Sequence, residues 1–85
     1  MRRIFKYQIA EFQQYVELPV KAKPLSIQIQ GGVFTLWAEV DTDNPTVPVM
    51  IYRVPTGSNA PESATYISTV QDGCFVWHFY FRACT

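Results

Sequence analysis

The sequence predicts an all-β fold, a small antiparallel sandwich or partly open barrel of five to seven strands built from sequential hairpins. Apolar residues alternate with polar ones along most of the chain, and this period of two is typical of half-buried strands. No apolar pattern with helical spacing lasts for three turns, and turn-forming residues separate the alternating segments. Residues 1–85 are predicted to form a single β domain, because so short a chain leaves no room for a second core.

The first half of the chain is predicted to contain two strands followed by a hairpin. Alternation predicts strands at residues 4–9 and 15–18, and the clearest amphipathic strand follows at residues 25–30. The Gly-Gly pair at residues 31–32 tolerates the positive φ angles of a tight turn. Residues 33–40 are therefore expected to return beside that strand. Since they are apolar on both faces, they predict the central strand of a sheet.

The second half is predicted to contain three further strands, at residues 47–54, 66–70 and 75–82. Pro48 is expected at the start of its strand or at an edge, because proline has no backbone N–H to donate. The long Pro-, Gly- and Ser-containing connection at residues 55–64 is expected to be a mobile loop. An Asp-Gly turn at residues 71–74 joins the last two strands into a hairpin.

The last predicted strand is apolar on both faces. One face carries four aromatic residues that suit the core, Phe75, Trp77, Phe79 and Phe81. The other face mixes apolar and polar residues, Val76, His78, Tyr80 and Arg82. Either a second sheet of the same chain covers this face or it is an interface formed by Val76, His78 and Tyr80. A homo-oligomer is expected, because domains of this size often need a disulfide, a metal or a partner subunit for stability.

The two cysteines predict free thiols and a reducing, cytoplasmic location. Cys74 and Cys84 lie ten residues apart on or beside one predicted strand, which is about 33 Å in an extended chain. A disulfide needs Cα atoms within about 7 Å, so it would require a sharp turn near Ala83. With one histidine in the sequence, a site built from several histidines is excluded, and no metal or cofactor is expected.

Charge and chemistry argue against several function classes. Seven Lys and Arg balance seven Asp and Glu, which disfavours non-specific binding to nucleic acid or anionic membrane. No apolar run approaches the roughly 18 residues of a membrane span. Glu39, Asp41 and Asp43 share a face at a strand end, where a carboxylate pair or a cation site is an alternative to a solvated loop. With no motif for catalysis, we expect a protein that is not an enzyme.

Two kinds of binding site remain. A small anionic ligand would be held by the guanidinium groups of Arg53, Arg82 and Arg3 and stacked by Trp37, His78 or Tyr80. Each of these side chains also suits a strand edge or the core. A single-stranded nucleic acid would instead bind the first strand, where basic and aromatic residues interleave: Arg2, Arg3, Lys6, Phe5 and Tyr7. The neutral charge balance disfavours this second site.

The order of short motifs along the chain resembles a family of small phage and prophage accessory proteins. The residues that carry the resemblance are Arg3 to Tyr7, Leu18-Pro19, Ala22, Leu25 to Gly31, Leu36 to Asp41, Pro45, Thr56-Gly57, Tyr66-Ile67, Thr69 to Gln71 and Val76-Trp77-His78. The chain departs from the family pattern at Lys21, where glycine is usual, and at Ser58, where histidine is expected.

The resemblance implies a protein that works inside the bacterial host cell during infection. By analogy with small phage proteins, we expect it to block or sequester a host component, either a protein surface or a small nucleotide signal. A virion structural or assembly component and a single-stranded nucleic-acid-binding β-barrel are the alternatives.

Overall fold

A computed structural model describes residues 1–83, which form seven β-strands and no helix. In chain order the strands are β1 (Arg2–Ile9), β2 (Gln13–Pro19), β3 (Lys23–Gln30), β4 (Val33–Asp41), β5 (Thr46–Pro55), β6 (Thr65–Asp72) and β7 (Phe75–Ala83). The all-β prediction is therefore confirmed. Within residues 1–83 there is no helix of the length and apolar character that crossing a membrane requires.

The strands form two antiparallel sheets that do not close into a barrel. A three-stranded sheet has the order β1-β4-β3, and a four-stranded sheet has the order β2-β5-β7-β6. The predicted turns at residues 31–32 and 71–74 join two hairpins, β3–β4 and β6–β7, and β4 is central as its two apolar faces indicated. The other three pairings join strands that are not neighbours in sequence.

The inward faces of the two sheets pack together into one core. Fully buried side chains come from both sheets, namely Ile9, Ile27, Leu36, Val40, Leu18, Ile51 and Phe79. The ring of Phe34 on β4 lies 5.3 Å from that of Phe79 on β7. Trp77 and Phe81 pack against the same core, as predicted for this face of the last strand. Phe75 differs, with 57% of its surface exposed, because it lies beside the turn and stacks on Trp77 instead.

A β-bulge interrupts the alternation predicted for the third strand. The register with β4 shifts between Pro24 and Ser26. Because a bulge inserts an extra residue, Leu25 loses its place on the core side and is exposed, whereas Ile27 is buried. Pro48 lies where prediction puts it, near the start of β5, facing Glu17 of β2.

The connection between β5 and β6 passes over β7, the strand that lies between them in the four-stranded sheet. Both strands are antiparallel to β7, which lies between them, so they run parallel and residues 56–64 must return along the length of β7. Thr56 contacts His78, and the backbone carbonyl of Glu62 accepts a hydrogen bond from Arg82. The connection therefore lies on the outward side of the sheet, away from the core.

Candidate binding face

The register places four tyrosines on the outward side of the four-stranded sheet, which we call the tyrosine face. Residues directly opposite in an antiparallel pair share a face. Tyr52 of β5 faces Tyr80 of β7, which faces Tyr66 of β6, so three tyrosines form a row across three strands. Neighbouring rows complete the face with Tyr15, Met50 and Arg82 on one side and Val54, His78 and Thr69 on the other.

Burial divides these tyrosines into a packed centre and an exposed margin. Tyr52 has 8% of its surface exposed, whereas Tyr15 and Tyr66 have 62% and 53% exposed. The guanidinium carbon of Arg82 lies 5.4 Å from the centre of the Tyr52 ring. Tyr66 contacts Tyr80 edge to face, with ring centres 5.7 Å apart. The crossing connection lies over β7, so the exposed tyrosines flank it.

His78 is the centre of a hydrogen-bonded chain on this face. Its Nε2 lies 2.8 Å from Oγ1 of Thr56, and its Nδ1 lies 3.0 Å from Oγ1 of Thr69. Thr69 in turn lies 2.7 Å from the hydroxyl of Tyr66. Since a hydroxyl can donate or accept, the chain suits either tautomer of a neutral imidazole. It fixes the histidine ring and joins the crossing connection to β6 and β7.

The same histidine lacks the usual arrangement of a catalytic base. A histidine that activates a hydroxyl nucleophile is normally oriented by a carboxylate on its other ring nitrogen. Here the hydroxyl of Thr69 occupies that position beside His78, with Thr56 on the opposite nitrogen. The arrangement places fixed polar groups beside aromatic rings on one side of the sheet.

The structure brings together three of the six residues that the sequence proposed for a ligand site. His78, Tyr80 and Arg82 share the tyrosine face, together with Val76, the remaining member of the proposed interface. Val76, His78 and Tyr80 are half-buried on the side of the sheet away from the core. Thr56 of the crossing connection contacts His78, and Tyr66 of β6 packs against Tyr80.

Arg53 lies on the opposite side of β5, at one end of the core. It faces Phe79 in the register, and its guanidinium carbon lies 4.1, 4.8 and 4.9 Å from the ring centres of Phe12, Trp77 and Phe34. Its buried Nε has no hydrogen-bond partner among residues 1–83. The sheet therefore separates Arg53 from the tyrosine face, and the three rings hold it in place.

Trp37 and Arg3 belong to the three-stranded sheet. Trp37 is half-buried on the outward side of β4 and faces Lys6 of β1. Arg3 is exposed on β1, with Nη2 3.3 Å from the sulfur of Met1. The outward side of this sheet is mainly polar, and Lys6 reaches across β4 to donate a hydrogen bond to Gln30. The two outward sides of the molecule thus differ in character.

The three carboxylates at the end of β4 are engaged by cations of the chain. The α-ammonium group of Met1 lies 2.9 Å from Asp41 and 2.7 Å from Asp43. Glu39 lies 3.5 Å from Arg2. Hydrogen bonds from the Met1 amine to Asp43, the largest cause, and to Asp41 raise the pKa of the amine. The hydrogen bond from the amine lowers the pKa of Asp41. Within residues 1–83, no group of three His, Cys, Asp or Glu side chains is placed to hold a metal ion.

Cys74 is an exposed free thiol in the hairpin turn. Cys84, the other half of the disulfide alternative, lies outside the described residues.

Comparison with known families gives a match over nearly the whole chain. The family model of a domain of unknown function, DUF7352, matches residues 1–84. The chain belongs to this family. No curated protein and no solved structure matches it.

Three tyrosines of this DUF7352 domain's candidate face were not singled out from the sequence. Tyr15, Tyr52 and Tyr66 lie on three different strands, and their proximity depends on pairings between distant segments. The missing signal was which strands are neighbours, and a single sequence does not carry it.

Proposed function

We propose that this protein is a non-enzymatic binding protein that recognises another protein through its tyrosine face. The observation that carries the proposal is the contrast between the two outward sides of the molecule. One is mainly polar, and the other gathers four tyrosines, His78 and Arg82 around a polar connection. The residue types match those that dominate the energetics of protein interfaces, where tyrosine and arginine are enriched.

The position of these side chains supports recognition by a preorganised surface. The row of Tyr52, Tyr80 and Tyr66 stands on paired strands, and the hydrogen bonds of His78 tie the connection to that row. A surface held by paired strands loses little conformational freedom on binding. Tyrosine adds large contact area at a small entropic cost, because it has few rotatable bonds. Residues 56–64 supply polar groups in the middle of the face.

The shape of the face favours a protein surface over a small nucleotide. Sites for small molecules are concave and enclose most of the ligand. An open groove of about 360 Å³ runs between β3 and β6 and touches the tyrosine face at Thr69 alone. A second, of about 380 Å³, lies on the other sheet beside Arg2, Ile4 and Glu39. Arg53, the cation that a nucleotide site would share with Arg82, lies on the other side of the sheet.

The cellular setting of the proposal rests on the resemblance to small phage and prophage proteins. In that setting the partner is a protein of the bacterial host, the location is the host cytoplasm, and covering the partner's surface blocks it. Val76, His78 and Tyr80 then contact the partner. Self-association through this face is the competing use of the same residues.

A comparative capture experiment tests the proposal. The protein is immobilised and incubated with a bacterial lysate, alongside a Tyr15→Ala/Tyr66→Ala variant. Phe75→Ala is the matched control, since Phe75 is as exposed as these tyrosines but lies on the other side of the sheet. We expect the parent and the control to retain the same polypeptide, and the double variant to retain about tenfold less, because interface aromatics commonly contribute about 1.4 kcal/mol or more.

Two results would contradict the proposal. One is capture that is equal for the parent and both variants. The other is a nucleotide, identified by mass spectrometry of the eluate, that binds the double variant as tightly as the parent.

Single-stranded nucleic acid is the alternative that shares this surface. Exposed aromatic rings on a sheet can stack bases, but stacking needs free ring faces and a basic track. Tyr66 and Tyr80 meet edge to face at 73°, and Arg82 is the one Lys or Arg side chain in the rows that form the face. Binding of short oligonucleotides at low salt that Tyr66→Ala abolishes would favour this alternative. Recovery of the chain in purified particles would favour a virion role.

A further inference from the structure

The free edge of β1 has the properties of a pairing surface. On the other side of the molecule, edge strands β3 and β6 approach each other, and Ser68 donates a hydrogen bond to the carbonyl of Ile27. β1 pairs with β4 on one side, and no strand within the described residues pairs with its other side. It exposes apolar side chains on both faces, with 61% of Ile4 and 43% of Phe5 accessible. Exposed apolar edge strands are templates for pairing with another chain.

One backbone hydrogen bond shows which groups of β1 point outward. The N–H of Thr42 donates to the carbonyl of Met1, so the pair that they form is a hydrogen-bonded one. In an antiparallel ladder such pairs alternate along the strand. Arg2, Ile4 and Lys6 therefore direct their N–H and C=O groups away from β4, towards the free edge. The outward carbonyl of Gln8 already accepts a hydrogen bond from Gln14.

Two of the three charged side chains of β1 do not guard this edge. Proteins often block edge pairing with charges that stand at the edge itself. Arg2 is drawn towards Glu39 of β4, and Lys6 reaches across β4 to Gln30 of β3. Both therefore lean over the sheet and leave the backbone of the edge accessible.

Symmetry and charge together select one register for pairing with a second copy. Facing residues of an antiparallel pair lie on the same side of the sheet. A two-fold axis perpendicular to the sheet must therefore pass midway between one residue of β1 and the same residue of the second copy, and we name each axis by that residue. An axis at Ile4 places Arg2 opposite Lys6 of the second copy, and an axis at Lys6 places two Lys6 residues opposite each other. Like charges in facing positions are destabilising. An axis at Phe5 avoids both, whereas one at Tyr7 pairs a shorter part of the strand.

We propose that two copies of this chain pair antiparallel through β1, with Phe5 on the two-fold axis. The two phenyl rings meet in a non-hydrogen-bonded pair, where facing Cα atoms are about 4.5 Å apart. Arg3 faces Tyr7 of the second copy, an arrangement that allows a cation–π contact. Ile4 and Lys6 exchange ladder hydrogen bonds and pack the lysine stem on the isoleucine. The product is a continuous six-stranded sheet.

Disulfide cross-linking tests both the pairing and its register. In a Cys74→Ser/Cys84→Ser background, Phe5→Cys is expected to form a covalent dimer under mild oxidation at least tenfold faster than Ile4→Cys or Tyr66→Cys. Arg3→Cys and Tyr7→Cys are expected to cross-link when mixed but not separately. Faster cross-linking of Ile4→Cys would overturn the register. Faster cross-linking of Tyr66→Cys would overturn the choice of surface and assign the dimer to the tyrosine face.

Solution mass provides a test that keeps the native cysteines. Light scattering at about 100 µM is expected to give twice the 9.8 kDa of one chain, and Ile4→Lys is expected to weaken the dimer at least tenfold by placing a second ammonium opposite Lys6. Ile4→Thr, which suits a strand and adds no charge, is the control and should remain dimeric. A monomeric parent overturns the proposal and assigns the basic residues of β1 to edge protection. Neither result bears on the binding of a different protein by the tyrosine face, which belongs to the other sheet.

Discussion

Arg53 shows how the role of a residue depends on the side of the strand it occupies. From the sequence it was one of three arginines proposed to hold an anion. In the structure its guanidinium group packs among Phe12, Phe34 and Trp77. A buried polar nitrogen without a partner is unfavourable, and the contacts with three ring faces offset that cost. Arg53 therefore closes one end of the core.

Substitution of Arg53 is expected to change stability rather than binding. Arg53→Ala should lower the free energy of unfolding by about 2 kcal/mol, since it removes both the cation–π contacts and the packing of the long stem. Arg53→Lys keeps the charge but not the planar group, and should cost about half as much. Urea unfolding measures both, and the capture experiment provides the comparison. If Arg53→Ala left the free energy of unfolding unchanged but abolished capture of the partner, Arg53 would belong to the binding site.

Thr69 connects the hydroxyl of Tyr66 to the imidazole of His78 on the tyrosine face. Thr69→Val keeps the shape of the side chain but removes the hydroxyl that bridges Tyr66 and His78. We expect a loss of about 1 kcal/mol in urea unfolding, with a matching fall in capture because the tyrosine is no longer fixed. Thr65→Val is the control, an exposed threonine on the same strand, and should stay within about 0.5 kcal/mol. Equal effects of the two substitutions would argue against an ordered hydrogen-bonded chain through Thr69.

Single strands were predictable, whereas their partners were not. Period-two alternation correctly separated Phe79 from Tyr80, and the Gly-Gly and Asp-Gly turns correctly located both hairpins. The pairing of β5 with β7 joins segments that are distant in sequence, and the local pattern contains no information about it. The crossing of β7 by residues 56–64 follows from that pairing. Three proposed ligand residues share a face because His78, Tyr80 and Arg82 alternate along one strand. Arg53 lies on the other side of that sheet, and Trp37 and Arg3 belong to the other sheet.

At the level of the element, ion pairs hold the start of β1 against the end of β4. The Met1 ammonium group joins Asp41 and Asp43, which lie at and after the end of β4. Its raised pKa means that the contribution to stability is lost as pH rises through the raised value. The lowered pKa of Asp41 means that the contribution is lost as pH falls through the lowered value. The contact is therefore strongest around neutral pH.

The pKa of the Met1 amine gives a direct measure of this contact. Asp43→Asn should return that pKa towards its ordinary value, and Asp41→Asn should do so to a smaller extent, because Asp43 contributes more. The pH dependence of amine acylation measures both changes. Since all three groups are exposed, about 0.5 M salt should reduce the effect. A pKa that neither substitution changes would show that the contact is absent in solution.

At the scale of the whole molecule, the two sheets form a thin slab of 40 × 30 × 16 Å. Such a shape offers two broad outward sides, and the tyrosines lie on one of them. Pairing through β1 would extend the three-stranded sheet and leave both four-stranded sheets on the same side of it. The dimer would then present two tyrosine faces in one direction, and simultaneous engagement of a repeated partner would raise its apparent affinity.

Hydroxyl-radical footprinting of the protein in a bacterial lysate tests the binding role of the tyrosine face most directly, because the partner does not have to be identified first. Oxidation of Tyr15 and Tyr66 is compared with that of two controls on the other side of the sheet, Phe12 and Phe75, which are similarly exposed. We predict that the lysate protects both tyrosines several-fold and leaves both phenylalanines as reactive as in the purified protein. Equal protection at all four positions, or protection confined to the phenylalanines, would contradict the account.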